Sequence, residues 1–225
     1  MRKVLFLLPV TLFFLTSCVT TNRLTKGERY ANLYSEKPTT ILVMPPINNT
    51  TNVEAKELLY TSINKPLMEA GYYVISPFLS LDILKEESAY DAELFIDKDL
   101  SMFSKVFGAD AIVFSVIDKW EKEGLGIRTN IRYVIKSTHT NEILYDRRCD
   151  LFLSTQVQSN GNSALSLLVD LAATVATTAL TDHIVAARRC NYYVFKDLPK
   201  GKYSPDFQMD LHQMSGPQSI KANVK

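Results

Sequence analysis

Only three histidines and three cysteines occur in 225 residues, which leaves little material for metal or nucleophilic catalysis. His139, His183 and His212 are far apart in the chain, and none forms an H-E-x-x-H pair. No G-x-S-x-G elbow, Walker loop or G-x-G-x-x-G turn is present. A calcium loop needs oxygen ligands at alternating positions around a glycine, and the acidic stretch Asp91 to Asp99 contains no glycine, so it reads as a solvated loop. Charge of one sign is lacking too. The formal net charge is +1, and the basic doublets Arg147-Arg148 and Arg188-Arg189 are too small to hold a nucleic acid and read as solvated surface. There is no polybasic stretch, internal repeat or linker. The sequence implies no cofactor and no nucleic-acid partner.

One long hydrophobic run stands at the start. Arg2 and Lys3 precede Val4 to Leu15, an apolar segment of about a dozen residues, short of the roughly 20 needed to span a bilayer and suited to a secretory signal peptide. It ends in Leu15-Thr16-Ser17-Cys18, which has the form of a bacterial lipobox, so Cys18 is the expected lipidation site and palmitate the expected class of modification. Residues 1–17 would be removed. Loss of two positive charges and no negative one turns +1 into −1. Val19 is not the aspartate that usually retains lipoproteins at the inner membrane, so an outer-membrane anchor with a periplasm-facing domain is expected.

The remaining length, about 205 residues, suffices for one substantial core. Residues 18–38 are polar and read as a lipidated tether, residues 39–198 as the folded domain, and residues 199–225, with three prolines and no apolar run, as an irregular tail. Thr40 to Met44 is a continuous apolar run, as expected of a strand buried on both faces. Leu59, Ile63 and Leu67 recur at helical spacing, with Asn52 as a cap, Gly71 as a stop, and Pro66 either kinking this helix or opening a second one. A strand over "YYVISP" follows, then two short helices with Ser80 and Asp99 as caps. The stretches "ADAIVFSVIDKW", "IRTNIRYVIKS" and "NEILYDRRCDLFLST" form an antiparallel meander, with "EGLG" and "THTN" as turns. Ser163 to Arg189 predicts a long packing helix that places His183 near its C-terminal end, and Asn191 to Phe195 a last short strand. The expected fold class is α/β: a single three-layer domain with a mixed sheet, parallel strands first and an antiparallel meander after them, and a long C-terminal helix.

Candidate binding groups follow from this arrangement. In α/β sheets ligands sit beyond the carboxyl ends of parallel strands, where Pro45, Pro46, Asn48 and Asn49 fall. The asparagines can equally tie down a turn by local hydrogen bonds. Tyr72 and Tyr73 belong to an excess of aromatic residues near strands, with Trp120, Tyr133, Tyr145, Tyr192 and Tyr193, which pack a core or serve an interface. Cys149 and Cys190 can pair as a disulfide in an oxidising periplasm or remain two buried thiols. No residues sit at metal-ligand spacing.

The strings "ILVMPPINNT", "KPLMEAGYYVISP", "FGADAIVFSVIDKW" and "NEILYDRRCDLFLS" occur in order, followed by a long Ala/Thr/Leu-rich stretch. In this the chain resembles a lipoprotein family typified by a genome-derived Neisseria vaccine antigen and classed as a domain of unknown function, over nearly all of its length after Cys18. The resemblance implies an α/β domain similar to the amino-terminal domain of the periplasmic protein TolB. It also implies a place at the outer membrane in a transport or secretion assembly, with a curli-secretion-type lipoprotein among the candidate partners. It carries no catalytic residues. The tail after Lys196 departs from the family pattern. The expected function is a non-catalytic accessory subunit of an envelope transport, secretion or assembly complex, with a homodimer across the long helix as one arrangement. The alternative is a periplasmic small-ligand-binding protein, or an enzyme, using the crevice beside Pro46 to Thr50.

Overall fold

The computed structural model describes residues 24–154 and 183–224. Its centre is one seven-stranded mixed sheet. Strands β1 (Thr40–Val43), β3 (Tyr73–Val74) and β4 (Ala111–Lys122) are mutually parallel neighbours, β1 lying between the other two. From β4 the sheet continues antiparallel through β5 (Gly126–Ser137) and β6 (Ile143–Ser154), each of 12 residues. The short β2 (Ile47–Asn48) also pairs with β4.

Helices cover both faces of the parallel half. On one side, Leu42 of β1, Met44 just after it, and Ile112 and Phe114 of β4 pack with Leu84 of α5 (Pro77–Glu86) and Phe103 of α6 (Ser101–Phe107). On the other, Ile41, Val43, Val113 and Ile117 meet Leu59, Ile63 and Leu67. This stripe spans two helices, α3 (Ala55–Ser62) and α4 (Asn64–Glu69), so Pro66 lies in the first turn of a second helix, where its missing N–H costs nothing. Asn52 accepts from the Ala55 N–H at 3.1 Å and Asp99 from the Ser101 N–H at 3.2 Å, in the turns that lead into α3 and α6, whose N-cap positions are Glu54 and Leu100 and carry no side-chain cap. Ser80 is not a cap: α5 begins at Pro77, whose fixed φ suits the first helical position, and Ser80 lies inside it, buried. Residues 183–195 (α7) are helical and cover the same face as α3. The rest of the expected long helix, residues 163–182, lies outside the described residues.

Three segments differ from expectation. Residues 24–38 are not tether: α1 (Lys26–Arg29) and α2 (Ala31–Glu36) form there, and Tyr30, Leu33 and Tyr34 enter the core. Those residues stand at i, i+3 and i+4, a helical signal too short to outweigh the polar residues around it. Asn191 to Phe195 continue α7 instead of forming a strand, because Ala187, Cys190 and Val194 face the core at helical spacing. Nor is the tail irregular throughout. Residues 219–224 form β7 (Ser219–Val224), parallel to β6, with Ile220, Ala222 and Val224 turned inward at the period of a strand.

Candidate functional site

Pro45 and Pro46 are buried, and they separate β1 from β2 while both strands stay paired with β4. Val43 pairs with Val113, and the chain rejoins β4 at Ile47 opposite Val116, so four residue steps stand against three and the prolines occupy a bulge. Lacking N–H groups, they leave no ladder donor unsatisfied there. The Asn48 amide is spent locally. Its Oδ1 accepts from the Thr50 N–H (3.1 Å) and hydroxyl (2.8 Å), and its Nδ2 donates to the Asn52 carbonyl (2.8 Å). Asn49 is exposed, and its Nδ2 donates to Asp118 Oδ1 at 3.1 Å. The turn-forming role accounts for these contacts.

The other candidates separate. Tyr72 is buried and donates its hydroxyl to the Pro199 carbonyl at 2.8 Å, holding the tail against the end of α4, while Tyr73 is exposed. Burial drives the Tyr72 hydroxyl far above its ordinary pKa of 10.0. Trp120, Tyr133 and Tyr145 lie in the core, and Tyr192 is exposed. Cys149 and Cys190 are free thiols, both buried, where β6 meets α7. Burial pushes the Cys190 thiol up, and hydrogen bonding to Cys149 adds to the shift; Thr129 Oγ1 lies 3.1 Å from Cys190 Sγ. His183 is not near the C-terminal end of its helix, which runs on to residue 195. It is buried, and Trp120 Nε1 donates to its Nδ1 at 2.6 Å. Among the described residues no group of three or more His, Cys, Asp or Glu could hold a metal ion.

Arg147, expected at the solvated surface, is instead the most conspicuous buried charge, its side chain 1% exposed. It projects from the core face of β6, pairs with Asp197, and donates to the Tyr30 hydroxyl (Nε, 2.7 Å) and to the carbonyls of Pro217 (2.8 Å) and Gly216 (3.0 Å). The Tyr30 hydroxyl in turn donates to Asp197 at 2.7 Å. Burial raises the Tyr30 pKa far above 10.0, so the phenol stays protonated and can accept from Arg147 while donating to Asp197. Beside this cluster Lys26 and Asp210 form a second buried ion pair at 2.9 Å, joined by the Tyr34 hydroxyl at 2.9 Å. Together the two clusters fasten the first and last described segments to the sheet. The signal lay in strand parity: Arg147 alternates with Tyr145, Cys149 and Leu151, whereas Arg148 faces outward. Ile143, of the same parity as Arg147, is nevertheless exposed, and the β5–β6 register shifts between Ile135 and Lys136.

Two surfaces complete the inventory. Beyond the cover of α6, the outer face of β4–β6 bears paired charges: Arg132 with Asp146 at 2.7 Å, Arg148 with Asp118 at 2.7 Å, and Arg128 with Asp150 at 3.0 Å. A groove of about 850 Å³ runs between α3–α4 and α7, lined by Ser62, Lys65, Arg188, Arg189 and Tyr192 among others. No described helix is long and apolar enough to cross a membrane.

The chain is 28% identical over 91 residues to the putative lipoprotein NMB1124/NMB1162 of Neisseria meningitidis serogroup B, a match spanning 40% of this chain and 42% of that protein. In structure it is similar to lipoprotein GNA1162 from Neisseria meningitidis (TM-score 0.48, 22% identity, 64% of this chain and 99% of that one). It is also similar to the PelC dodecamer subunit from Paraburkholderia phytofirmans (TM-score 0.45, 8% identity, 70% of this chain and 87% of that one). The profile of the family described as "Putative lipoprotein GNA1162-like" matches residues 28–192, from α1 into α7, and by that match the chain belongs to this family.

Proposed function

We propose that this protein is an outer-membrane lipoprotein, acylated on Cys18 and facing the periplasm, that serves as a non-catalytic accessory subunit of an envelope transport, secretion or assembly complex. The observation that carries the proposal is the lipobox Leu15-Thr16-Ser17-Cys18, six residues ahead of the first described residue of a lipoprotein-family domain. Acyl chains contribute about 0.8 kcal/mol per buried CH₂, and more than one chain anchors stably. The interaction role is supported by the segment Pro45–Thr50, where the side-chain amides of Asn48 and Asn49 are spent on the turn and on Asp118.

Cys18→Ala should abolish palmitate labelling and membrane fractionation, and unchanged labelling would refute the anchor. Crosslinking in intact cells, followed by identification of the captured proteins, tests the accessory role; candidates include a curli-secretion-type lipoprotein and a second copy of this chain. Paired Asn48→Ala and Asn49→Ala changes should leave captured partners unchanged. Loss of a small-molecule phenotype with partners intact would favour the ligand reading instead.

A further inference from the structure

The point at which the anchored chain enters the fold is fixed. The Leu24 carbonyl accepts from the Ser215 N–H at 2.9 Å and from its hydroxyl at 2.7 Å, Thr25 bridges to Met214, and the Lys26 N–H donates to the Gln213 carbonyl at 2.8 Å. Only six residue steps separate Leu24 from Cys18. At 3.3 to 3.6 Å per residue they reach about 20 Å when fully extended. A domain of this length has a radius of gyration of roughly 16 Å, hence a width of about 40 Å, so the leash reaches only about half the domain's width. A folded partner of ordinary thickness therefore does not fit between the bilayer and the surface around Leu24.

That surface exposes three large apolar side chains among polar ones. Leu24 is 43% exposed, Ile143 49% and Met214 64%. Leu24 and Ile143 line one concavity of about 300 Å³, whose polar rim is formed by Glu28, Arg29, Asp146 and Gln218, and Met214 sits across the bridge from Thr25. Large apolar side chains thus gather where the anchored segment leaves the fold.

We propose that this surface is the membrane-facing side of the protein, with Leu24, Ile143 and Met214 seated in the headgroup region of the bilayer. The proposal rests on acylation at Cys18. It sets the direction of the sheet: β6 starts at Ile143 and runs 12 residues to Ser154, which pairs with Gly126 beside the Leu125 turn. At about 3.4 Å per residue the Leu125 turn stands about 40 Å from the Ile143 end, pointing into the compartment.

The test uses the full-length acylated protein in vesicles of phosphatidylethanolamine and phosphatidylglycerol that carry headgroup nitroxide lipid. A fluorophore is attached at Met214→Cys, Ile143→Cys or Leu125→Cys, the native Cys149 and Cys190 being buried. Quenching several-fold stronger at positions 214 and 143 than at 125 supports the proposal. Uniform or inverted quenching in protein that floats with the vesicles overturns the face and leaves the anchor standing. Protein that does not float overturns the anchor and the face together. A Leu24→Asp, Met214→Asp variant should still float while quenching at Ile143→Cys falls; undiminished quenching there would overturn the apolar seating.

Discussion

Asp197→Ala should be among the most damaging single changes to the fold, and its cost can be worked from the Arg147 cluster. Arg147 has 1% of its side chain exposed and Asp197 16%. Removing Asp197 leaves a buried guanidinium facing only neutral acceptors: the Tyr30 oxygen and the carbonyls of Gly216 and Pro217. Breaking a buried ion pair from one side costs about 3–5 kcal/mol, and the surviving carbonyl contacts place this case near 3. With a urea dependence of about 2 kcal/mol per molar, the unfolding midpoint should fall by about 1.5 M. The reverse change should be milder. Arg147→Met leaves Asp197 nearer the rim, with the Gly216 N–H (3.0 Å) and the Tyr30 hydroxyl still donating to it, for a cost of about 1–3 kcal/mol. Combining Arg147→Met with Asp197→Leu removes both charges and should cost less than the two single changes summed. Hydrogen exchange should quicken first in β7 and in α1–α2, which the cluster fastens, and later in β4–β5. A costlier Arg147→Met, additive effects of the two changes, or uniformly quickened exchange would each show that the ion pair does not hold these segments in this way.

Other consequences follow from particular contacts. Gly71 has φ +94°, and a Cβ there would lie 2.5 Å from the Ser204 backbone nitrogen, so Gly71→Ala should cost at least the roughly 1–2 kcal/mol of a left-handed L residue and loosen the tail, seen as easier proteolysis after Pro199. Burial raises the Asp110 carboxyl, but N–H bonds from Thr40 and Thr39 outweigh it and hold the pKa below its ordinary 3.8. A depressed carboxylate stabilises the fold above its unfolded pKa and loses that contribution as pH falls through the folded value. Urea midpoints of Asp110→Asn should therefore depend less on pH below about pH 4 than those of the unchanged protein, and identical slopes would contradict this. Cys149 and Cys190, buried as thiols, should resist an aromatic disulfide reagent in the native protein and both react on unfolding; a single intramolecular disulfide recovered from the periplasm would show instead that they pair.

What could be read beforehand is explained by where the determining forces act. The stripes of β1, α3–α4 and the β4–β6 meander recur within their own elements, so local periodicity is enough to place them. The two terminal segments are held by contacts from opposite ends of the chain. Lys26 finds Asp210 and Tyr30 finds Asp197, separations of 184 and 167 residues that no local window spans. Polar composition there reads as solvation when each charge is taken alone, whereas in the fold Lys26 and Asp210 make each other's burial tolerable. Arg147 falls between these cases: its strand parity pointed inward, and only the expectation that arginine stays in water argued otherwise. A charged residue on the apolar parity of a confident strand is thus a prediction of buried partners elsewhere in the chain. Here those partners are Asp197, at the edge of the expected domain, and the Gly216 and Pro217 carbonyls, in the tail whose sequence reads as least structured.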